Sequence, residues 1–145
     1  MLQYHKMAHS ENTRTIGSVE TVFDIVEIIQ REEGATAKEV AEEVDKSLST
    51  VYDYLTTLHK RDYVRREDGT YYVGLEFLNH GMHARNRYET AEIAEPILDT
   101  LAEETGEVVW YYVEENGRSA VIVRRTGEKA VQTVGRMGWR SPLHQ

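Results

Sequence analysis

The sequence predicts an α+β protein in which a winged helix-turn-helix comes first and a mixed helix–strand domain follows. Three observations carry this. A helix, a short capped helix, a turn and a third helix succeed one another between Ser18 and Arg61. Two runs of period two then flank Asp68-Gly69, a dipeptide suited to a tight hairpin. Past Gly106 the chain becomes strand-rich after a long helical segment.

Each element has its own signal. Residues 1–12 show no clean periodicity and read as a loose arm. From Ser18, a candidate cap, Val19, Val22, Phe23, Val26 and Ile29 recur at helical spacing, and Gly34 supplies a left-handed stop. "TAKE", Thr36 to Glu39, is a capping box, and Val40, Ala41 and Val44 follow as the apolar edge of a short second helix. That helix ends near Asp45 and Lys46, and the third begins around Ser47. Leu48, Val51, Leu55 and Leu58 form its buried stripe. At 100° per residue, Ser49, Thr50, Asp53, Thr57 and Lys60 fall opposite, with Tyr52 beside the stripe and Thr56 at the outer margin. "YVRRE" and "TYYVG" make the hairpin, which closes a winged helix over residues 13–74.

Residues 75–87 read as another helix with Leu75, Leu78, Met82 and Phe77 as an apolar edge, weakened by Gly81. A further helix spans about Tyr88 to Thr105, with Ile93, Ile97, Leu98 and Leu101 as its stripe and Gly106 as its stop. Pro96 means that the well-formed helix starts close to it or kinks there. "VVWYYV", "SAVIVRR" and "KAVQTVG" read as strands, the first two as a hairpin about Asn116-Gly117. On the first of them Trp110 and Tyr112 share one face and Tyr111 takes the other. They either line a ligand pocket or pack a core or subunit contact.

Composition bounds the function. The 145 residues suffice for one ordinary domain or two small ones, and 40 % hydrophobic content builds a core. With no cysteine, disulfides, cysteine–zinc ligation and thiol catalysis are excluded, which fits a reducing cytoplasm. No apolar run approaches the roughly 18 residues that cross a bilayer, and no signal-peptide core is present, so a soluble, cytoplasmic protein without membrane partners is expected. The formal charge of −8 argues on its own against nucleic acid, because phosphate binding is largely electrostatic. An acidic, lysine-poor chain also matches a halophilic protein working in concentrated salt, where screening removes self-repulsion; an ordinary acidic protein is the other reading.

The pattern of the third helix overrides the bulk charge. Small hydroxyls at Ser47, Ser49, Thr50 and Thr57, with Tyr52, suit the edges of bases in a major groove. Lys46 and Lys60 stand at its two ends for phosphates, and Arg65 and Arg66 on the hairpin reach the backbone or minor groove. Asp53 is repelled by phosphates, yet it can accept from cytosine N4 or hold a neighbouring Lys or Arg. The bland alternative is a solvated face on a winged helix that binds protein partners instead of DNA. His80–His83 and His5–His9 have the spacing of two metal ligands but no third in frame, so no metal is expected, and a metal-responsive regulator is the weakest reading. There is no phosphate loop and no nucleophile elbow, so no enzyme and no cofactor are expected.

"SVETVFDIVEII", "TAKEVAEEVDKSLSTVYDYLTTLHKRDYV", "YYVGLEFLNHG", "AEPILDTLAEETGE" and "GRMGWRSPLH" together resemble the IclR family of transcriptional regulators, from about Thr15 to His144. The resemblance implies a DNA-binding winged helix over 13–74, a linker helix over 75–90, and the first portion of an effector-binding domain over 91–145. It implies a homodimer or dimer of dimers on a pseudo-palindromic operator, joined through the winged helix and the helix around Leu75–Met82, acting as repressor or activator. It implies a small-molecule effector, a metabolite such as a small organic acid, with Gly138, Trp139, Ser141 and Leu143 as one wall of its pocket; Trp110 and Tyr112 are the effector-binding candidates from the strand pattern. The family's recognition helix usually opens on Ser-Thr-Val, here Ser49 to Val51, with an arginine two residues on where this chain has Asp53. The family's effector domain runs well beyond Pro142–His144, so a fragment is expected.

Overall fold

In the computed structural model, residues 14–131 and 135–143 are described, and the chain divides into two compact units, Met1–Phe77 and Leu78–Gln145. The arm over 1–12, the His5–His9 pair, His144 and the middle of the 129–135 run lie outside the described residues. The fold is α+β.

The first unit is a winged helix-turn-helix. Helix α1 (Gly17–Arg31) is followed by strand β1 (Ala35–Thr36), α2 (Ala37–Val44), α3 (Leu48–Lys60), β2 (Val64–Glu67) and β3 (Thr70–Val73). The sheet order is β1-β3-β2, antiparallel throughout. Asp68 and Gly69 both take positive φ, +48° and +86°, so the two-residue turn matches the right-handed twist of its strands. The two-residue β1 has no periodicity of its own and was not expected from the sequence.

The start of α1 differs from expectation. Ile16 is its N-cap, no side chain caps it, and Ser18 lies inside the helix. At its other end the left-handed residue after the Glu32 cap is Glu33 (φ +56°), with Gly34 next (φ +128°). The amides of Glu33 and Gly34 reach back to the carbonyls of Gln30 and Ile29, which satisfies the orphan acceptors of the last turn. The buried face is Thr21, Ile25, Val26, Ile28 and Ile29, while Val19 and Phe23 are exposed. Leu48, expected inside, is also exposed; Val51, Leu55 and Leu58 are the buried residues that anchor α3. These residues join Val40, Ala41, Val64 and Tyr71 in one core, with Tyr54 and Phe77 packed against it.

The capping box of α2 is present in full. Glu39 N–H donates to Thr36 Oγ1 at 3.3 Å, and Thr36 N–H and hydroxyl both donate to Glu39 Oε2 at 2.8 and 2.7 Å. The bond from the Thr36 backbone, then the one from its hydroxyl, hold the Glu39 carboxyl below the ordinary carboxylate range. Thr36→Ala is expected to cost about 1 kcal/mol, read as a lower urea midpoint with unchanged slope.

The second unit packs one helix on a three-stranded sheet. Helix α4 (Glu76–Arg85) buries no residue of its own, and Leu75, Leu78 and Met82 are exposed. Helix α5 (Thr90–Thr105) runs through Pro96 and stops at Gly106, φ +76°. Its buried face is Ala91, Ala94, Leu98 and Ala102; Ile93, Ile97 and Leu101, expected inside, face outward. Strands β4 (Val108–Glu115), β5 (Arg118–Thr126) and β6 (Arg140–Pro142) form an antiparallel sheet in that order. Lys129–Val131 and Gly135, placed in a strand by the sequence reading, are not in one; the third strand is β6.

The β4–β5 pairing shifts between Tyr111 and Tyr112, whose partners are Val123 and Val121. Ile122 is therefore the extra residue of a bulge. Its carbonyl accepts from Arg85 Nε at 2.7 Å, and Arg85 also pairs with Glu95, which meets Arg125 at 3.1 Å; Arg125 pairs in turn with Asp99.

Candidate nucleic-acid interface

The turn from α2 to α3 sets the interface. Asp45 takes the left-handed conformation (φ 51°, ψ 51°), which stops α2 and reverses the chain within two residues. Ser47 then caps α3, its hydroxyl accepting from Thr50 N–H at 3.2 Å. The same oxygen lies 3.0 Å from Ser49 Oγ and 2.8 Å from Thr50 Oγ1. Three of the predicted contact residues thus form one bonded hydroxyl cluster at the helix start.

Because Val51, Leu55 and Leu58 are held in the core, the opposite side of α3 must face solvent. Ser47, Ser49, Asp53, Thr57 and Lys60 are exposed there, as is Lys46 in the turn; Thr50 is half-buried and Tyr52 is 44 % exposed. Thr57 spends its hydroxyl proton on the Asp53 carbonyl at 2.8 Å, so it offers its methyl and its oxygen lone pairs outward. His59, which the sequence reading did not single out, lies with Nδ1 3.1 Å from the Val64 carbonyl and ties the end of α3 to the hairpin. A contact from helix to strand across a turn has no periodic signature.

Arg65 and Arg66 are both exposed, but successive strand residues point to opposite faces. Arg65 stacks over Tyr72, 4.7 Å from its centroid, and pairs with Glu67. Arg66 lies over Tyr71 at 5.6 Å, on the other face. The two arginines therefore lie on opposite faces of the hairpin.

The predicted effector residues belong to the second unit. Trp110 and Tyr112 keep a common face, with centroids 6.4 Å apart, while Tyr111 packs on the α5 core. Trp139 joins them at Gly135, where a Cβ would come within 2.7 Å of Trp110 and 3.2 Å of Trp139. Gly138 turns at φ +81° and donates its N–H to Val121 at 2.8 Å. The Ser141 hydroxyl meets that of Ser119 at 2.8 Å, and Leu143 is exposed. Arg124, which the sequence reading passed over, pairs with Trp110 across the strands and stacks 5.0 Å over its ring. Its Nε is buried and finds no acceptor among the described residues.

Among the described residues no cluster of three His, Asp or Glu side chains is placed to hold a metal, and no helix is long and apolar enough to cross a membrane.

Residues 18–68 match the IclR helix-turn-helix domain. The chain is 30 % identical over 127 residues to a probable HTH-type transcriptional regulator, ArcR, of Halobacterium salinarum, covering 87 % of this chain and 48 % of that protein. It is 27 % identical over 137 residues to the HTH-type transcriptional regulator BhcR of Paracoccus denitrificans, covering 93 % and 49 %. The chain thus spans about half the length of the curated relatives it matches. In fold it is similar to the Thermotoga maritima IclR crystal structure, with a TM-score of 0.76 at 24 % identity over 89 % of this chain and 53 % of that one. It is also similar to an IclR homologue from Microbacterium hydrocarbonoxydans complexed with 4-hydroxybenzoate, with a TM-score of 0.71 at 18 % identity over 87 % and 53 %.

Proposed function

We propose that this chain, which belongs to the IclR family, binds operator DNA through α3 as part of a transcriptional regulator that answers to a small molecule. The observation that carries this is the one-sided α3: an apolar stripe locked in the core, a bonded hydroxyl cluster at its start, and exposed Lys46 and Lys60 at its ends. In a helix-turn-helix the start of the second helix meets base edges, and cations at the groove's borders meet phosphates. Residues 13–74 take the DNA-binding role, 75–90 link, and 91–145 contribute to effector binding. The exposed apolar residues Val19 and Phe23 on α1, Leu75 just before α4, and Leu78 and Met82 on α4 support a second copy, and with it an operator of two half-sites about one helical turn apart.

The effector proposed is a small organic acid. The Trp110, Tyr112, Trp139 and Arg124 cluster supports it, since rings stack on a flat ligand and a guanidinium pairs with a carboxylate. The reading is of a binding protein and assigns no reaction.

A mobility-shift assay with the promoter DNA beside the coding region tests it. Thr50→Glu, with helix content and oligomeric state unchanged, is expected to weaken the shift by about a hundredfold, in line with loss of one base contact and a charge set against phosphate. An undiminished shift would remove α3 from the interface.

A further inference from the structure

Asp53 stands in the middle of the exposed face of α3, six residues on from the Ser47 cap. Lys60 is seven residues on, about 10 Å along the helix, and Lys46 lies outside the helix in the turn before the Ser47 cap. Its neighbours one turn before and after are Ser49, Thr50, Thr56 and Thr57, none of them charged. Among the described residues no hydrogen bond or ion pair reaches its carboxylate; only its backbone carbonyl is used, by Thr57. The sequence left two roles open for Asp53, holding a basic neighbour or meeting a base, and the structure supplies no basic neighbour to hold.

A carboxylate on a groove-facing helix is selective because it only accepts. Guanine shows O6 and N7 to the major groove and thymine shows O4, all acceptors that repel it. The donors are the amines of cytosine and adenine. At adenine the N6 amine is flanked on the same edge by the N7 acceptor, which opposes the second carboxylate oxygen. At cytosine the neighbour of N4 on its own base is a carbon. From this chemistry we infer that Asp53 reads a cytosine in each half-site, and that it sets the base preference at that position. The inference rests on the DNA-binding reading above and deepens it.

Selection of bound duplexes from a pool with randomised positions, using the full chain, tests it. Wild type is expected to fix one position per half-site as cytosine by about tenfold over other bases. Asp53→Ala flattens that position and leaves the rest of the motif. Asp53→Asn moves it toward adenine, because an amide accepts from N6 while donating to N7. A wild-type motif retained unaltered by Asp53→Ala, or an even gain in affinity across all sequences as from removing a repulsive charge, overturns the inference while leaving DNA binding intact. A pool in which wild type enriches nothing overturns both. Circular dichroism confirms that each variant keeps its helices, as an exposed site with no partners predicts.

Discussion

Leu55→Ala is expected to destabilise the winged helix by about 3 kcal/mol, within the range for emptying a leucine site in a packed core. Leu55 has no exposed surface and sits at the centre of the stripe by which α3 is held to the core. A domain of this size has roughly 5–15 kcal/mol in all, so the loss takes a large fraction of the total and lowers the urea midpoint accordingly. Urea unfolding followed by far-UV circular dichroism gives the number. The contrast is Leu48→Ala, on the same helix but 44 % exposed, where a change within about 0.5 kcal/mol is expected. Equal effects at the two positions would mean that the stripe carrying α3 has been assigned to the wrong residues.

Arg85→Ala is expected to destabilise the second unit clearly, although Arg85 is not part of its apolar core. Arg85 Nε satisfies the Ile122 carbonyl at the bulge, and its other arm pairs with Glu95. Without it that carbonyl loses the donor Arg85 supplies, at a cost of about 1–3 kcal/mol for a partly buried acceptor. Trp110 and Trp139 lie on this sheet and the loop that meets it, so the transition is followed by tryptophan fluorescence. Arg85→Lys restores a charge for Glu95, but its single nitrogen does not reproduce the fork by which Nε and a terminal nitrogen of Arg85 reach two separate acceptors, and so it recovers only part of the loss. Acidity gives a second readout. Glu95 is held below the ordinary carboxylate range first by its bond from Arg85, then by the charges of Arg85 and Arg125, against a burial effect of opposite sign. The unfolded chain takes up that proton at higher pH than the folded one, so the stabilisation is complete above the carboxylate range and fades as pH falls through it. A wild-type midpoint that drops on acidification more than that of Arg85→Ala is the expected pattern; parallel curves would mean that Glu95 owes nothing to Arg85.

Much of the first unit was legible because its signals are local. A capping box and an Asp-Gly turn each fix a few neighbouring dihedrals, and neither depends on what lies across the core; the serine cap expected at Ser18 is absent. Which face of a helix is buried depends on the partner, and there the sequence misled. In α1, apolar residues cover more than one face, and Val19 and Phe23 were as plausible as Ile25 and Ile28. In α5, size was the wrong guide. The alanines let the helix approach the sheet closely, and the larger Ile93, Ile97 and Leu101 were left outside. The unbroken Val121-Ile122-Val123 run hid the bulge, since period two cannot show where its own phase slips. In the candidate interface, the residue types on α3 were readable from spacing. The bonding among Ser47, Ser49 and Thr50, the anchoring role of His59 and the opposed faces of Arg65 and Arg66 were not, because each is set by distances between atoms.

The bonded hydroxyls at the start of α3 have a thermodynamic consequence. Ser47, Ser49 and Thr50 already restrain one another's rotamers in the free molecule, so the docking onto a duplex proposed above would freeze little motion that is not frozen beforehand. Calorimetry of Ser47→Ala against wild type is expected to show a more unfavourable binding entropy, on top of whatever enthalpy the lost Ser47 hydroxyl itself supplied. What looks like three weak contacts is in effect one rigid tooth, cut before it meets its lock.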